Sequence, residues 1–118
     1  GPQFFNADMR HSALLVRGNL LYVFFTNRGD APERILLSTI ELKDDWNEWV
    51  ASEPIEVMRP ELSYEGADLP IGTSKGGYID ERAHQLRDPA IFQEESKTYL
   101  LYAVAGENGI AIAEITFP

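Results

Sequence analysis

The chain has 118 residues, 44% of them hydrophobic and 11% aromatic, which is enough for one packed domain. Its net charge of −9 disfavours binding to nucleic acid and to anionic membrane surfaces, and no apolar run approaches the roughly 20 residues needed to cross a bilayer. The absence of cysteine excludes disulfides and thiolate chemistry and leaves the localisation open, with the cytoplasm as the default.

The chain opens with GPQFFNAD, whose apolar residues are Phe4 and Phe5. We expect this segment to be able to add a strand to an incomplete sheet, either in its own chain or in another copy. The first two residues could equally be a cleavage remnant.

Residues 9–58 predict a unit of four antiparallel strands. Aliphatic, aromatic and β-branched runs alternate here with turn signals such as Gly18-Asn19 and Arg28-Gly29-Asp30. A fourth strand near Glu48 to Met58 follows the segment DDWNEW. We therefore predict one complete four-stranded sheet.

Residues 59–85 read as a long loop, rich in Gly, Pro, Ser and charge. It far exceeds the roughly 4 to 6 residues of a typical connection. Long loops on rigid β scaffolds commonly carry functional residues, so this loop is a candidate region.

Residues 86–117 repeat the first unit in part. MRHSALL, from Met9, aligns without a gap with LRDPAIF, from Leu86, and ILLSTI aligns with IAIAEI after a two-residue adjustment. Arginine is retained in both copies, as Arg10 and Arg87, whereas His11 of the first copy is aligned with Asp88 of the second. The second unit thus contains about three strands.

The whole pattern predicts an all-β chain. Recurring antiparallel four-stranded units are typical of β-propeller blades, so we expect a partial β-propeller of about two blades. The second blade would be incomplete, or completed by the N-terminal segment or by another copy. Such a pair leaves apolar faces open, which predicts a homo-oligomer.

Three runs carry a resemblance to a known family: RHSALLVRGNLLYVFFTNRGDAPERILLSTIEL, YEGADLPIG and LRDPAIFQEESKTYLLYAVAGENGIAIAEI. They resemble the C-terminal portion of bacterial proteins related to five-bladed β-propeller glycoside hydrolases, similar to families 43 and 32. Those families include arabinanases, xylosidases and invertase-like enzymes. The resemblance implies a carbohydrate or small-molecule ligand and carboxylate acid/base chemistry.

The same resemblance implies the candidate site. Arg87-Asp88-Pro89 is similar to a motif that orients substrate, and Glu65 resembles the general acid in its Glu-Gly surroundings. Glu65 and Asp88 are therefore the candidate catalytic pair, with the Glu-Gly segment preceding the Arg-Asp-Pro segment, against the usual order. The candidate substrate-binding residues are Arg10, His11, Asp68 and Arg87.

Structural interpretations compete with each assignment. Asp88 could pair with the backbone or with an arginine at the start of a strand, and Glu65 could be a solvated loop carboxylate. The two arginines could hold the strand starts by bonding neighbouring carbonyls or acids. With only two histidines in the chain, we predict no metal and no cofactor, although carboxylates could bind a hard cation.

The alternatives for function are a non-catalytic carbohydrate-binding or protein-interaction module and a fragment without independent activity. An active hydrolase would lose turnover when Glu65 is replaced by Gln. A binding module would keep its affinity for sugar after replacement of both carboxylates.

Overall fold

A computed structural model describes all residues, Gly1–Pro118, and the fold is all-β. The seven strands are β1 (Met9–Arg17), β2 (Leu20–Asn27), β3 (Ile35–Glu41), β4 (Ile55–Met58), β5 (Arg87–Glu94), β6 (Lys97–Ala103) and β7 (Ile110–Ile115). Two short 3-10 turns lie at Trp46–Glu48 and Ser63–Glu65.

The strands form two antiparallel meanders. The first sheet has the order β1-β2-β3-β4 and the second the order β5-β6-β7. The prediction of one complete and one incomplete four-stranded unit is therefore confirmed, and the fold is consistent with a partial propeller. The strand β7 forms an open edge, because the second sheet has no counterpart of β4.

The two sheets pack face to face around one core. On the first sheet Phe24 is 1% exposed and Ile35 is fully buried, and on the second sheet Leu100 is 1% exposed. The strand pairing explains this arrangement, since Phe24 lies opposite Leu37 and both side chains point toward the second sheet. Burial of these apolar surfaces is the main stabilising contribution that joins the sheets.

The N-terminal segment covers the other face of the first sheet. The ring of Phe5 lies 5.0 Å from the ring of Phe25, and Phe4 stacks on Trp49 at 6.5 Å. The segment contains no strand, so it does not complete the second sheet of its own chain as we expected. Its two aromatic side chains pack instead on the apolar face that is formed by β2 and β3.

Candidate functional site

The starts of β1 and β5 carry matching irregularities. Each strand has a bulge in its pairing, between Arg10 and Ala13 in β1 and between Arg87 and Ala90 in β5. The residues within the bulges, His11 and Asp88, have left-handed φ values of 52° and 50°. His and Asp are among the non-glycine residues that tolerate this region best. The repeat seen in the sequence is thus a repeat of local backbone geometry.

The two bulges bring His11 and Asp88 into contact. Nδ1 of His11 lies 2.5 Å from Oδ1 of Asp88, and the two side chains are 41% and 40% exposed. The equivalent positions 11 and 88, which hold His in the first copy and Asp in the second, therefore form a half-exposed pair that joins one sheet to the other. The pair leaves part of both side chains accessible to a ligand.

A buried carboxylate lies beneath this pair. Glu33 has no exposed surface, and its Oε2 accepts a hydrogen bond from Nε of Arg10 at 3.1 Å, while Nη2 of Arg10 donates to Oε1. Nε of Arg87 lies 3.7 Å from the same Oε1. The backbone carbonyl of Glu33 also accepts a hydrogen bond from the amide of Leu86 at 2.9 Å. One residue therefore binds the first strand of both units.

The hydrogen bond to Glu33 also raises the pKa of Arg10, with the negative charges of Glu33 and Asp88 acting in the same direction against the effect of burial. Both guanidinium groups serve the scaffold in this arrangement, as the structural interpretation of the two arginines predicts. Arg10 keeps 15% of its side chain exposed, so a small part of it still reaches the surface.

Arg87 is almost completely buried, at 2% exposure. Its Nε donates to the side-chain oxygen of Gln85 at 2.9 Å and its Nη1 donates to the carbonyl of Gly77 at 3.0 Å. Glu107 approaches Nη1 at 3.8 Å. Arg87 thus fixes the loop that contains Gly77 above the strand starts.

This loop divides the surface above the strand starts into two cavities. One has a volume of about 530 Å³ and includes Asp80, Gln85 and Arg87 in its lining. The other has a volume of about 470 Å³ and includes Arg10 and His11. Gly76, Gly77 and Tyr78 line both cavities. We call the two cavities together the strand-start cleft.

Tyr78 projects into solvent at the centre of the strand-start cleft. It is 79% exposed, the highest exposure among the large hydrophobic side chains of the chain. An exposed aromatic side chain between polar walls is a typical element of a ligand site.

Glu65 lies outside the lining of the strand-start cleft and is 3% exposed. Its Oε1 accepts hydrogen bonds from the amides of Glu61 and Leu62 at 3.0 Å, and its Oε2 accepts one from the hydroxyl of Tyr102 at 2.8 Å. The interpretation of Glu65 as a solvated loop carboxylate is therefore wrong. The carboxylate instead fixes the loop after β4 to the second sheet.

Asp68 also lies outside the lining of the strand-start cleft. Its side chain is 48% exposed and its Oδ1 pairs with Nη2 of Arg82 at 3.2 Å. The same Nη2 donates to the carbonyl of Ser63 at 2.8 Å. Of the predicted site residues, the structure brings together Arg10, His11, Arg87 and Asp88, and it separates Glu65 and Asp68 from them.

Four residues of this region were not predicted from the sequence: Glu33, Gln85, Tyr78 and Glu107. The retained arginine pair was the available signal for Glu33, because two arginines at equivalent strand starts require a nearby acid if they are buried. No repeat marks Tyr78, which lies in the long loop that the first unit lacks.

No group of three or more His, Asp or Glu side chains is arranged to hold a metal ion. Among the helical segments, none is long and apolar enough to cross a membrane.

A mimivirus protein resembles this chain. The chain is 45% identical over 108 residues to an uncharacterised protein of Acanthamoeba polyphaga mimivirus. The match covers 91% of this chain and 30% of the viral protein, so the chain spans about a third of its relative. No family model matches the chain, and no solved structure matches it.

Replacement of Glu33 by Gln should destabilise the whole chain. The amide keeps the shape of the side chain but removes the charge that compensates Arg10 and Arg87. We expect a loss of about 3 to 5 kcal/mol in the free energy of unfolding, the range for breaking a buried ion pair, measured by urea denaturation. Glu114→Gln, which breaks the exposed pair with Lys97, is the matched control and should have little effect. Equal effects of the two substitutions would contradict a central role for Glu33.

Tyr102 should make the stability fall at high pH. Burial and the hydrogen bond to Glu65 raise its pKa above the ordinary tyrosine value. A raised folded-state pKa stabilises the protein fully below the unfolded pKa of about 10, and this contribution is lost as the pH rises further toward the folded-state pKa. Urea denaturation from pH 8 to pH 12 should therefore show a steeper loss for the wild type than for Tyr102→Phe. Parallel curves would show that the phenol makes no such contribution.

Proposed function

We propose that the strand-start cleft binds a carbohydrate. The observation that carries the proposal is the exposed ring of Tyr78, which stands between two polar cavities. A sugar offers an apolar C–H face that can stack on such a ring and a rim of hydroxyl groups that can form hydrogen bonds. A site with one aromatic ring and several polar groups suits both parts of the ligand.

The composition of the larger cavity supports a polar ligand. Of its ten lining residues only Tyr78 and Ile79 are hydrophobic, and the polar ones include Asp80, Glu81 and Gln85. Carboxylates can accept hydrogen bonds from sugar hydroxyl groups, and amides can both accept and donate them. Since the chain carries a net charge of −9, a neutral saccharide suits the site better than an anionic ligand.

Binding without hydrolysis is the function that the geometry favours. Glycoside hydrolysis requires two carboxyl groups on either side of one sugar, about 5 to 9.5 Å apart. Glu65, the candidate acid, is buried, accepts three hydrogen bonds and does not line the strand-start cleft. The proposed pair of Glu65 and Asp88 therefore lacks the access that an acid/base pair needs.

Hydrolysis is the second candidate function, and one observation favours it. Asp88 is 40% exposed and contacts His11, which lines the smaller cavity. In a hydrolytic mechanism Asp88 would act as the base or as a stabilising carboxylate, and another residue near the strand-start cleft would supply the acid. The resemblance to propeller glycosidases also motivates the hypothesis of hydrolysis.

The size of the viral relative is compatible with a larger propeller. Since 108 residues make up 30% of that protein, it has about 360 residues. Two sheets fit into the matched length, so a chain of that size has room for at least three more. We propose that the two sheets correspond to adjacent blades of a glycosidase-like propeller.

The test is a binding titration by calorimetry with xylo-, arabino- and fructo-oligosaccharides. We expect one class to bind the wild type, Tyr78→Ala to weaken binding about tenfold, the factor that about 1.4 kcal/mol represents, and Tyr78→Phe to retain it. Phe92→Ala removes an exposed ring outside the cleft and is the matched control. Release of reducing ends that Asp88→Asn abolishes would support hydrolysis. No binding by any oligosaccharide, or binding unaffected in Tyr78→Ala, would contradict the proposal.

A further inference from the structure

The second sheet leaves one of its faces uncovered. Ile110, Ile112 and Phe92 on this face are 78%, 58% and 49% exposed. The strand pairing places Phe92 opposite Tyr99 and Leu101 opposite Ile112, so these side chains form one continuous surface. We call the apolar part of this face, formed by Ala90, Phe92, Tyr99, Leu101, Ile110 and Ile112, the open face; the exposed ion pair of Lys97 and Glu114 lies at its edge.

The open face has a counterpart in the first sheet. Under the alignment of the two copies, Tyr99 corresponds to Tyr22, Leu101 to Phe24 and Ile112 to Leu37. Those three residues of the first sheet belong to the core between the sheets. Equivalent surfaces therefore occur on both sheets. The one on the first sheet is buried between the sheets, and the one on the second sheet is exposed.

The face of the second sheet that packs on the first sheet also has an equivalent, which lies on the other face of the first sheet. Leu100 and Tyr102 of the second sheet pack against Phe24, with the small residue Ala113 beside them. Their equivalents in the first sheet are Val23, Phe25 and Ser38, which lie on the face that carries the N-terminal segment. We call the surface of Leu14, Val16, Val23, Phe25, Leu36, Ser38 and Ile40 the receiving face.

The receiving face is covered only in part. Phe4 and Phe5 pack on it, but Leu14 and Val16 remain 59% and 58% exposed. The N-terminal segment therefore leaves a substantial apolar part of the receiving face in contact with solvent.

We propose that the open face of one chain docks on the receiving face of a second copy and repeats the contact that joins the two sheets within one chain. The new interface continues an interface that the fold already contains, with the same surface types on each side. Such a head-to-tail contact leaves one open face and one receiving face free at the ends of a dimer. Further copies can therefore add, and Phe4 and Phe5 must leave the receiving face when a copy docks.

Sedimentation velocity over a concentration series tests the proposal, with circular dichroism to verify folding. Ile112→Glu places a charge on the open face, and Leu14→Glu places one on the receiving face. We expect the wild type to associate and each variant alone to be a monomer. Ile71→Glu is the matched control, since Ile71 is 58% exposed and lies on neither face, and it should associate like the wild type.

A mixture of the two variants identifies the geometry. Ile112→Glu keeps an intact receiving face and Leu14→Glu keeps an intact open face, so the mixture should form a dimer of one copy of each and stop there. Phe4→Ala combined with Phe5→Ala should strengthen association, because it frees the receiving face. A wild type that stays monomeric at all concentrations would overturn the proposal. Homodimers of Leu14→Glu would overturn it as well, because they would show that two open faces pair with each other.

Discussion

The carboxylate of Glu33 is the contact on which the rest of the structure depends. It lies at the end of the first unit's second turn, and it binds Arg10 of the first strand and approaches Arg87 of the corresponding strand in the other sheet. A buried charge of this kind is tolerated only when its partners are fixed around it. The two strand starts are therefore held side by side, and the apolar core between the sheets forms in one register.

The strand-start cleft follows from this arrangement. With the two bulges adjacent, His11 and Asp88 meet in left-handed backbone conformations, which cost free energy and persist because the surroundings fix them. Arg87, which lies 3.7 Å from Glu33 and donates to Gln85, also donates to the carbonyl of Gly77 and so supports the loop that presents Tyr78. The scaffold thus positions the exposed groups of the cleft, while its own charges are satisfied inside the protein.

Much of the fold could be predicted from the sequence, because a repeat fixes both strand number and equivalent faces. Tyr22 and Tyr99 align, and the number of strands in each copy follows. The candidate site was harder to predict from the sequence than the fold. A motif such as Glu65-Gly66 does not reveal whether its carboxylate is exposed to solvent. Glu65 is buried and accepts hydrogen bonds from the amides of Glu61 and Leu62 in its own loop and from the hydroxyl of Tyr102 in β6, which is distant in sequence. The alternative that the N-terminal segment completes the second sheet of its own chain was wrong for a similar reason, because the sequence does not specify which apolar face Phe4 and Phe5 cover.

If Glu33 and the apolar core that it aligns join the two sheets, the sheets should unfold as one unit. Native-state hydrogen exchange measures this directly, because it gives an opening free energy for each backbone amide. The amides of Val23 in β2 and of Leu100 in β6 should exchange with the same free energy, equal to that of global unfolding. A clearly lower value for Leu100 would mean that the second sheet opens alone, and it would contradict the account of a single unit clamped by one carboxylate.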